Sequence, residues 1–453
     1  MIIRQFFVPG IAHSSYLIGG AGSCFIVDPC RDVERYLSAA IEERMQITGI
    51  LETHLHADFI SGHRDLAKVT GAPIYMPEKA SCSFPHIPVR QGSIITLDDL
   101  RIEVRETPGH TPEHVSYVLI HQSRSDLPVA VFCGDTLFVG DVGRPDLFPG
   151  RAHELAAELF ASLHDQLITL PDYCEVYPAH AAGSLCGRAL GAKRSSTIGY
   201  ERNANPMLQI RDLDEFVRRV TSEMPPVPDH FTRCSEYNRA GPAILSEIPP
   251  MKPLSPRDVR NMLEAGETDI LDIRRYDAFA GFHIPDSWNI DAEANFSTFT
   301  GWVLEPNQHI ILVGHNQDQV REAEVMLHRV GIDHITGYLP EGLQAWAYAG
   351  YEIGEVRILS VHNLAEYLGK KEVSVLDVRT KSEYTGYHIP GSLHIPWADL
   401  RSRYQEIDTD RPLAVMCATG IRSGIACSIL KRSGIHTIMN VAGGYTAWIA
   451  AGL

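Results

Sequence analysis

Short apolar runs bounded by polar or glycine-rich turns recur along this chain, and their spacing divides it into distinct regions. In residues 1–240 the runs Cys24 to Val27, Val115 to Ile120 and Val129 to Phe132 follow one another as antiparallel strands would. Helical patterns lie between and after these runs. The region therefore predicts β-sheets sandwiched by helices.

Prolines crowd the segment from Thr221 to Pro256, which holds eight of them. Proline lacks a backbone donor and blocks a helix interior. The segment therefore predicts an extended connector without a long helix.

Beyond this connector the sequence repeats itself at a constant offset of 105 residues, so that Ser255 through Pro285 matches Ser360 through Pro390. A repeat of this size indicates a duplicated domain rather than a solenoid unit. Within each copy, apolar runs such as Ile310 to Val313 and Leu413 to Met416 alternate with helical patterns. Each copy is therefore predicted to be a parallel sheet covered by helices.

Composition narrows the function classes. A length of 453 residues suggests about three domains. The formal net charge of −16 argues against nucleic acid and anionic membrane as partners. No apolar run approaches the roughly 20 residues of a membrane span, the first residues lack a signal-peptide core, and nine unpaired-looking cysteines suit a reducing compartment. We expect a cytoplasmic enzyme.

The stretch Thr53-His54-Leu55-His56-Ala57-Asp58-Phe59 carries the strongest chemical signal. It follows an apolar strand, and two histidines and an aspartate on an irregular turn can converge on a metal ion. In two-metal hydrolases with this pattern a further histidine follows the aspartate and completes the second metal site. Here Phe59 stands in that place, and carbon cannot ligate, so the motif predicts one ion.

Three more segments place a candidate ligand where a strand ends. They carry His110 in a Gly/Pro turn, Asp135 after the strand Val129 to Phe132, and His180 after a Tyr-Pro-Ala sequence. Rigid scaffolds usually present ligands on loops at strand ends. Four such placements together predict a metal site.

These residues resemble those of the metallo-β-lactamase superfamily over residues 1–240, and are most similar to those of its persulfide dioxygenases. The resemblance implies an αββα sandwich and one Fe(II) held by His54, His110 and Asp135, a donor set suited to Fe(II) with open positions. It leaves His56 as a fourth ligand or, as we favour, a group that orients the site. Asp58 and His180 are expected to hydrogen-bond the ligands.

Arg144 is a candidate for binding a substrate carboxylate, because its guanidinium can form two parallel hydrogen bonds. The alternative is an internal ion pair with Asp141 or Asp146. The sequence leaves both open.

In the second repeat, the stretch Met416 to Ser423 joins a strand to a helix and carries Cys417 and Arg422. Backbone N–H groups at a helix N-terminus, together with Arg422, favour a thiolate and any anionic sulfur on it. Cys427 lies in mid-helix and is expected to be a buried apolar residue. Residues 356–453 resemble a rhodanese, which implies a persulfide on Cys417.

The first repeat, residues 252–353, has no cysteine; its matching loop reads Val313-Gly314-His315-Asn316. It resembles an inactive rhodanese copy, with spacing, docking or assembly of a homo-oligomer as its expected role. His315 is expected to be a solvated loop residue.

The domain order resembles bacterial persulfide dioxygenase–rhodanese fusions. It implies oxidation of a low-molecular-weight thiol persulfide by O₂ to sulfite and thiol, with Cys417 passing sulfur to sulfite to give thiosulfate or running in reverse. One alternative is a thioester hydrolase that uses Zn²⁺-activated water. Another is a sulfur carrier without turnover, which leaves the metal ligands unexplained.

Overall fold

The protein is described by a computed structural model covering residues 1–188, 190–222, 224 and 226–453. Glu223 and Pro225 of the predicted connector lie outside the described residues, as does Ala189. The chain folds as two units, residues 1–249 with 328–331 and residues 250–327 with 332–453. Each is described by itself below.

The first unit contains two six-stranded sheets. In the first sheet, strands β1 to β3 pair antiparallel and β3 to β6 pair parallel. Its strands are β1 (Ile2–Val8), β2 (His13–Gly19), β3 (Ser23–Val27), β4 (Gln46–Leu51), β5 (Ile74–Pro77) and β6 (Ile87–Val89).

In the second sheet, β7 to β10 form an antiparallel meander, and β11 then joins β10 in parallel. Its strands are β7 (Ile94–Leu97), β8 (Leu100–Glu106), β9 (Val115–His121), β10 (Pro128–Gly134), β11 (Glu175–Pro178) and β12 (Ser196–Thr197). The strands predicted to run antiparallel do so, and the parallel pairs were not predicted.

The alternation of side chains along the strands explains the layers. Tyr117 and Leu119 of β9 point into the core between the sheets, whereas Val118 between them joins the core under helices on the outer face. Leu17 of β2 likewise packs under helices on the outer face of the first sheet. Helices thus cover both outer faces, as the predicted αββα sandwich requires. They are α1 (Glu34–Glu42), α2 (His63–Thr70), α3 (Ala152–Ala161), α4 (Ile198–Ala204), α5 (Leu213–Thr221) and α6 (His230–Ala240).

The prediction for the proline-rich connector was wrong in one respect, because it contains the 11-residue helix α6. The prolines lie on either side of this helix, up to Pro228 before it and from Pro242 onward after it. The proline-free window between them leaves every helical N–H in place. Phe231 and Cys234 of α6 are buried in the first unit.

The second unit holds both repeats apart from residues 328–331, and each repeat has a five-stranded parallel sheet. The first copy has the strand order β13-β17-β16-β14-β15. Its elements are β13 (Lys252–Pro253), α7 (Pro256–Glu264), β14 (Asp269–Asp272), α8 (Tyr276–Gly281), β15 (Trp288–Asn289), α9 (Phe296–Val303), β16 (Ile310–Val313), α10 (Gln317–His328), β17 (Ile335–Tyr338) and α11 (Gly342–Tyr348).

The second copy repeats this order as β18-β22-β21-β19-β20. Its elements are β18 (Arg357–Leu359), α12 (Val361–Gly369), β19 (Ser374–Asp377), α13 (Lys381–Gly386), β20 (Leu393–His394), α14 (Leu400–Arg403), β21 (Leu413–Met416), α15 (Ile421–Arg432), β22 (Ile438–Val441) and α16 (Gly444–Ala450). All four residues of β16 and of β21 are buried, as expected for central strands of a sheet covered on both faces.

The same ion pair stabilises each of the two copies internally. Arg274 binds Asp272 through its guanidinium in the first copy, and Arg379 binds Asp377 in the same way in the second. Both carboxylates are buried at the end of a central strand. The shared Asp-x-Arg pattern is therefore a structural feature of the fold. Among the described residues, no helix combines the length and apolar character needed to cross a bilayer.

Candidate functional site

The loop that follows β4 carries His54, His56 and Asp58, and a buried carboxylate holds this loop in place. Asp28, at the end of β3, accepts hydrogen bonds from the backbone N–H of Thr53 at 2.7 Å and from the Thr53 hydroxyl at 2.9 Å. Because β3 and β4 are parallel neighbours, their carboxyl ends meet at the same edge of the sheet. That edge is where the candidate ligands gather.

His54, His110 and Asp135 converge with potential ligand atoms within 4.8 Å of one another, and all three are buried. His110 Nε2 lies 3.3 Å and His54 Nε2 lies 3.9 Å from Asp135 Oδ2. His110 Nδ1 is 2.9 Å from the Arg144 carbonyl oxygen, and His54 Nδ1 is 2.9 Å from Thr53 Oγ1. These contacts turn both Nε2 atoms toward the carboxylate.

The electrostatics of this group suit a cation. Burial, followed by the charges of neighbouring histidines, lowers the pKa of His54. Burial also lowers the pKa of His110, so both imidazoles are neutral, the form that ligates a metal. His110 Nε2 is buried and makes no hydrogen bond to the described residues. The donor set therefore fits a metal ion, because a cation would satisfy the lone pairs that the protein leaves unused.

His180 links this group to Asp58. Its Nδ1 lies 2.7 Å from Asp135 Oδ1, and its Nε2 lies 2.8 Å from Asp58 Oδ2. Burial would lower the pKa of His180, but the two carboxylates outweigh burial and raise it well above its ordinary value. Burial would likewise raise the pKa of Asp135, but His180 and His110 hold it low. His180 thus fixes the orientation of the Asp135 carboxylate.

His56 faces a second pair of carboxylates, which sequence reasoning missed. Its Nε2 lies 3.2 Å from Asp28 Oδ1 and 3.8 Å from Glu52 Oε2, while His63 Nδ1 lies 3.2 Å from Glu52 Oε1. Burial, and then the charge of Asp28, raises the pKa of Glu52 well above its ordinary value. Glu52 and His63 lie close to the motif in the sequence, but nothing in the sequence indicated that their side chains point back toward His56.

Phe59 is fully buried and packs on the rings of His13 and His56, at centroid distances of 4.2 and 4.5 Å. Phe59 cannot ligate, but other potential ligands remain near Asp58. Cys186 lies with Asp58 and His180 in a buried group whose ligand atoms are within 4.8 Å of one another. Sequence reasoning missed Cys186. It follows His180 by only six residues, and that proximity was the available signal.

Arg144 forms an internal ion pair. Its guanidinium binds the Asp146 carboxylate through Nε at 2.7 Å and Nη2 at 2.9 Å, and donates to the Leu185 carbonyl oxygen at 2.9 Å. Asp141, the other partner considered, accepts a hydrogen bond from the Arg188 backbone N–H at 2.9 Å. The side chain of Arg144 is buried, and its backbone carbonyl orients His110.

A second candidate site surrounds Cys417, between β21 and α15. Its Sγ accepts hydrogen bonds from the Gly420 backbone N–H at 3.1 Å and from the Ser423 hydroxyl at 3.4 Å. The side chain is 0% exposed. Two donors on the sulfur stabilise negative charge there, as a thiolate or persulfide needs.

Arg422 lies in the same loop but is held by a partner that the sequence did not indicate. Its guanidinium forms two hydrogen bonds of 2.7 Å with Glu383, at the start of α13. Burial would raise the pKa of Glu383, but Arg422 and Thr380 lower it to about 2. Cys427 is buried in mid-helix, where it was expected.

In the first copy the loop between β16 and α10 contains no thiol. The backbone N–H of His315 donates to Gln319 Oε1 at 2.8 Å, which closes the loop on itself. This loop occupies the position that the Cys417 loop has in the second copy.

Comparison with known proteins matches these observations. Residues 8–180 match the metallo-β-lactamase superfamily, and residues 255–349 and 360–451 each match the rhodanese-like domain. The chain is 29% identical over 234 residues to the mitochondrial persulfide dioxygenase ETHE1 of Mus musculus, covering 51% of this chain and 85% of that protein. It is 34% identical over 228 residues to a hydroxyacylglutathione hydrolase of Methylobacillus flagellatus, covering 49% and 83%.

Among solved structures, a metallo-β-lactamase from Staphylococcus aureus subsp. aureus COL superposes with a TM-score of 0.67. It is 33% identical and covers 75% of this chain and 98% of its own. The chain therefore belongs to the metallo-β-lactamase superfamily. More particularly, it is a fusion of a metallo-β-lactamase domain to two rhodanese-like domains, related to the persulfide dioxygenases.

Proposed function

We propose that this protein is an iron-dependent persulfide dioxygenase joined to a thiosulfate sulfurtransferase, acting in the cytoplasm. The observation that carries the proposal is the convergence of His54, His110 and Asp135 in one buried group. Two imidazoles and one carboxylate on one face are typical of Fe(II) oxygenases, because they leave positions open for substrate and O₂. The similarity to persulfide dioxygenase ETHE1 supports the same assignment.

The proposed overall reaction is RSSH + O₂ + H₂O → RSH + SO₃²⁻ + 2H⁺. When bound, Fe(II) would supply the binding of O₂ and of the persulfide sulfur and the transfer of electrons between them. The protein's own groups hold the site. Asp135 and the two neutral imidazoles supply the donors, while His180 fixes Asp135 and the Arg144 carbonyl fixes His110.

The second proposed reaction takes place at Cys417. A persulfide there transfers its outer sulfur to sulfite: Cys417–S–S⁻ + SO₃²⁻ → Cys417–S⁻ + S–SO₃²⁻. The S–S bond breaks, a new S–S bond forms to the sulfite sulfur, and the thiolate leaves with the electron pair. The N–H of Gly420 and the hydroxyl of Ser423 stabilise that thiolate. Arg422 is proposed to attract the incoming anion while Glu383 holds its guanidinium in place.

A test compares two metals and two substrates in the same protein. Samples loaded anaerobically with Fe(II) or with Zn²⁺ receive glutathione persulfide or a glutathione thioester, and O₂ uptake, sulfite and thioester cleavage are measured. We expect O₂ uptake and sulfite only from the iron form with persulfide, and their loss in His110→Ala. His121→Ala is the control. His121 lies in β9, in the same sheet as the strands that precede His110 and Asp135, but it contacts Asp99, away from the proposed ligands. Thioester cleavage by the zinc form without O₂ uptake by the iron form would refute the proposal.

A thioester hydrolase is the second candidate. It is favoured by the group Asp58, His180 and Cys186, which offers donors for a second ion beside Asp135, and by the similarity to hydroxyacylglutathione hydrolase. The same comparison of metals and substrates decides between the two functions.

A further inference from the structure

The inactive rhodanese copy places a tyrosine against the Cys417 loop of the active copy. Tyr276 begins α8, which packs against α15 within the second unit. A Cβ atom at Gly420 would lie 2.8 Å from Tyr276 Cζ and 2.9 Å from its hydroxyl oxygen, and one at Gly424 would lie 2.6 Å from Tyr276 Cβ. A side chain at either position would therefore collide with Tyr276 as it is placed here.

The phenol of Tyr276 also reaches the other side of the loop. Its hydroxyl lies close enough to the backbone of Gly443 to interact with it. Gly443 directly precedes α16, whose Tyr445 donates its backbone N–H to the Cys417 carbonyl oxygen at 2.9 Å. The ring therefore spans two backbone segments, Gly420 and Gly443, that flank Cys417.

Burial, and then the charge of Asp277, raises the pKa of the Tyr276 phenol, and a thiolate at Cys417 lies close enough to add to this effect. Cys417 itself is 0% exposed, while Tyr276 is half-buried. The phenol ring thus lies against the Gly420 side of the loop that encloses the sulfur. The active copy has no equivalent, since the residue that matches Tyr276 in the repeat is Lys381.

We propose that Tyr276 is a specificity-determining residue of the sulfur-transfer site. Its ring narrows the approach to Cys417 so that small inorganic sulfur anions react there. Inorganic polysulfide or thiosulfate would load the persulfide and sulfite would take its outer sulfur, while bulky organic thiols are kept out. This inference rests on the proposed sulfur transfer at Cys417, and it gives the inactive copy a role in selecting the substrate.

The first test measures which acceptor takes sulfur from Cys417. Thiosulfate is the donor, and the rates with cyanide and with glutathione as acceptors are expressed as a ratio. In Tyr276→Ala we expect the glutathione-to-cyanide ratio to rise at least about tenfold, the usual size of steric discrimination in a binding site. Tyr276→Phe keeps the ring and should keep the ratio within about twofold. Tyr348→Ala, at a tyrosine of the same copy that is 85% exposed, is the matched control.

The second test needs no turnover. Iodoacetamide and a bulky fluorescein maleimide compete for Cys417 in the full chain, and mass spectrometry of the Cys417 peptide gives the two rates. Tyr276→Ala should raise the maleimide rate relative to the iodoacetamide rate, with Tyr276→Leu intermediate and available if the alanine variant does not fold. Unchanged ratios in both tests would overturn the inference. If the wild type transfers no sulfur, the proposed function fails, and the alkylation ratio alone still decides the role of Tyr276.

Discussion

Asp28 offers the sharpest test of how the fold supports the metal group, because it contributes through the loop rather than as one of the three proposed ligands. It has a left-handed backbone with φ of 50° at the end of β3. Its carboxylate accepts two hydrogen bonds from Thr53, the residue before His54, and lies 3.2 Å from His56 Nε2. The substitution Asp28→Asn preserves the shape but replaces one oxygen by an NH₂ group.

The size of the effect follows from these contacts. The amide carries no charge, so neither hydrogen bond with Thr53 remains charge-assisted, and a hydrogen bond to a charged group is worth about 1.5–3 kcal/mol. Residues that orient metal ligands typically contribute about 10–100-fold to metal affinity. At about 1.36 kcal/mol per tenfold, that range is about 1.4–2.7 kcal/mol. The two estimates agree, so we expect Fe(II) affinity to fall about 10–100-fold.

The assay is competition for Fe(II) between the protein and a chelator under anaerobic conditions. Asp32→Asn is the matched control, because Asp32 lies four residues further on and pairs with Arg329 at 3.0 Å, away from the ligands. It should leave Fe(II) affinity near that of the wild type. If Asp28→Asn held iron within about threefold of the wild type, the reasoning that this carboxylate positions the ligands would be refuted.

Three further predictions follow from the two sites. Cys417→Ser should reduce sulfur transfer to background yet leave O₂ uptake with supplied persulfide unchanged, and loss of both would contradict two separate sites. Removal of the metal by a chelator should do the opposite, abolishing O₂ uptake and sparing thiosulfate-to-cyanide transfer. Glu383 stabilises the folded state above its unfolded pKa of 4.5, and that stabilisation is lost as pH falls toward the folded pKa of about 2. The thermal midpoints of the wild type and Glu383→Gln should therefore differ at pH 7 and converge in acid, whereas Glu366→Gln, at an exposed pair with Lys370, should differ little at any pH. A gap that stays constant from neutral pH into acid would show that Glu383 does not act through its charge.

The fold could be predicted where the pattern of apolar residues is periodic or repeated. The offset between the two repeats placed matching strands and helices, and the structure has the same sheet order in both. Helix α6 was missed because proline density was averaged over the whole connector, whereas a helix depends on the positions between the prolines.

The candidate ligands were predictable because each follows a strand, and Asp135 and His180 follow the parallel neighbours β10 and β11. Asp28, Glu52 and Cys186 were not predicted, since their relation to the histidines depends on how loops fold back. The position of Tyr276 beside Cys417 could not be predicted from the sequence for a different reason. It lies in the copy without a thiol, and only the packing of α8 on α15 brings it to Cys417.

The most direct test of the central claim is the stoichiometry of O₂ uptake by the Fe(II)-loaded protein on addition of glutathione persulfide, with sulfite measured in the same sample. Cys417→Ser is used so that sulfite is not converted to thiosulfate. One O₂ consumed for each sulfite formed is the predicted result. An iron-replete sample that consumes no O₂, or consumes it without forming sulfite, would contradict the account.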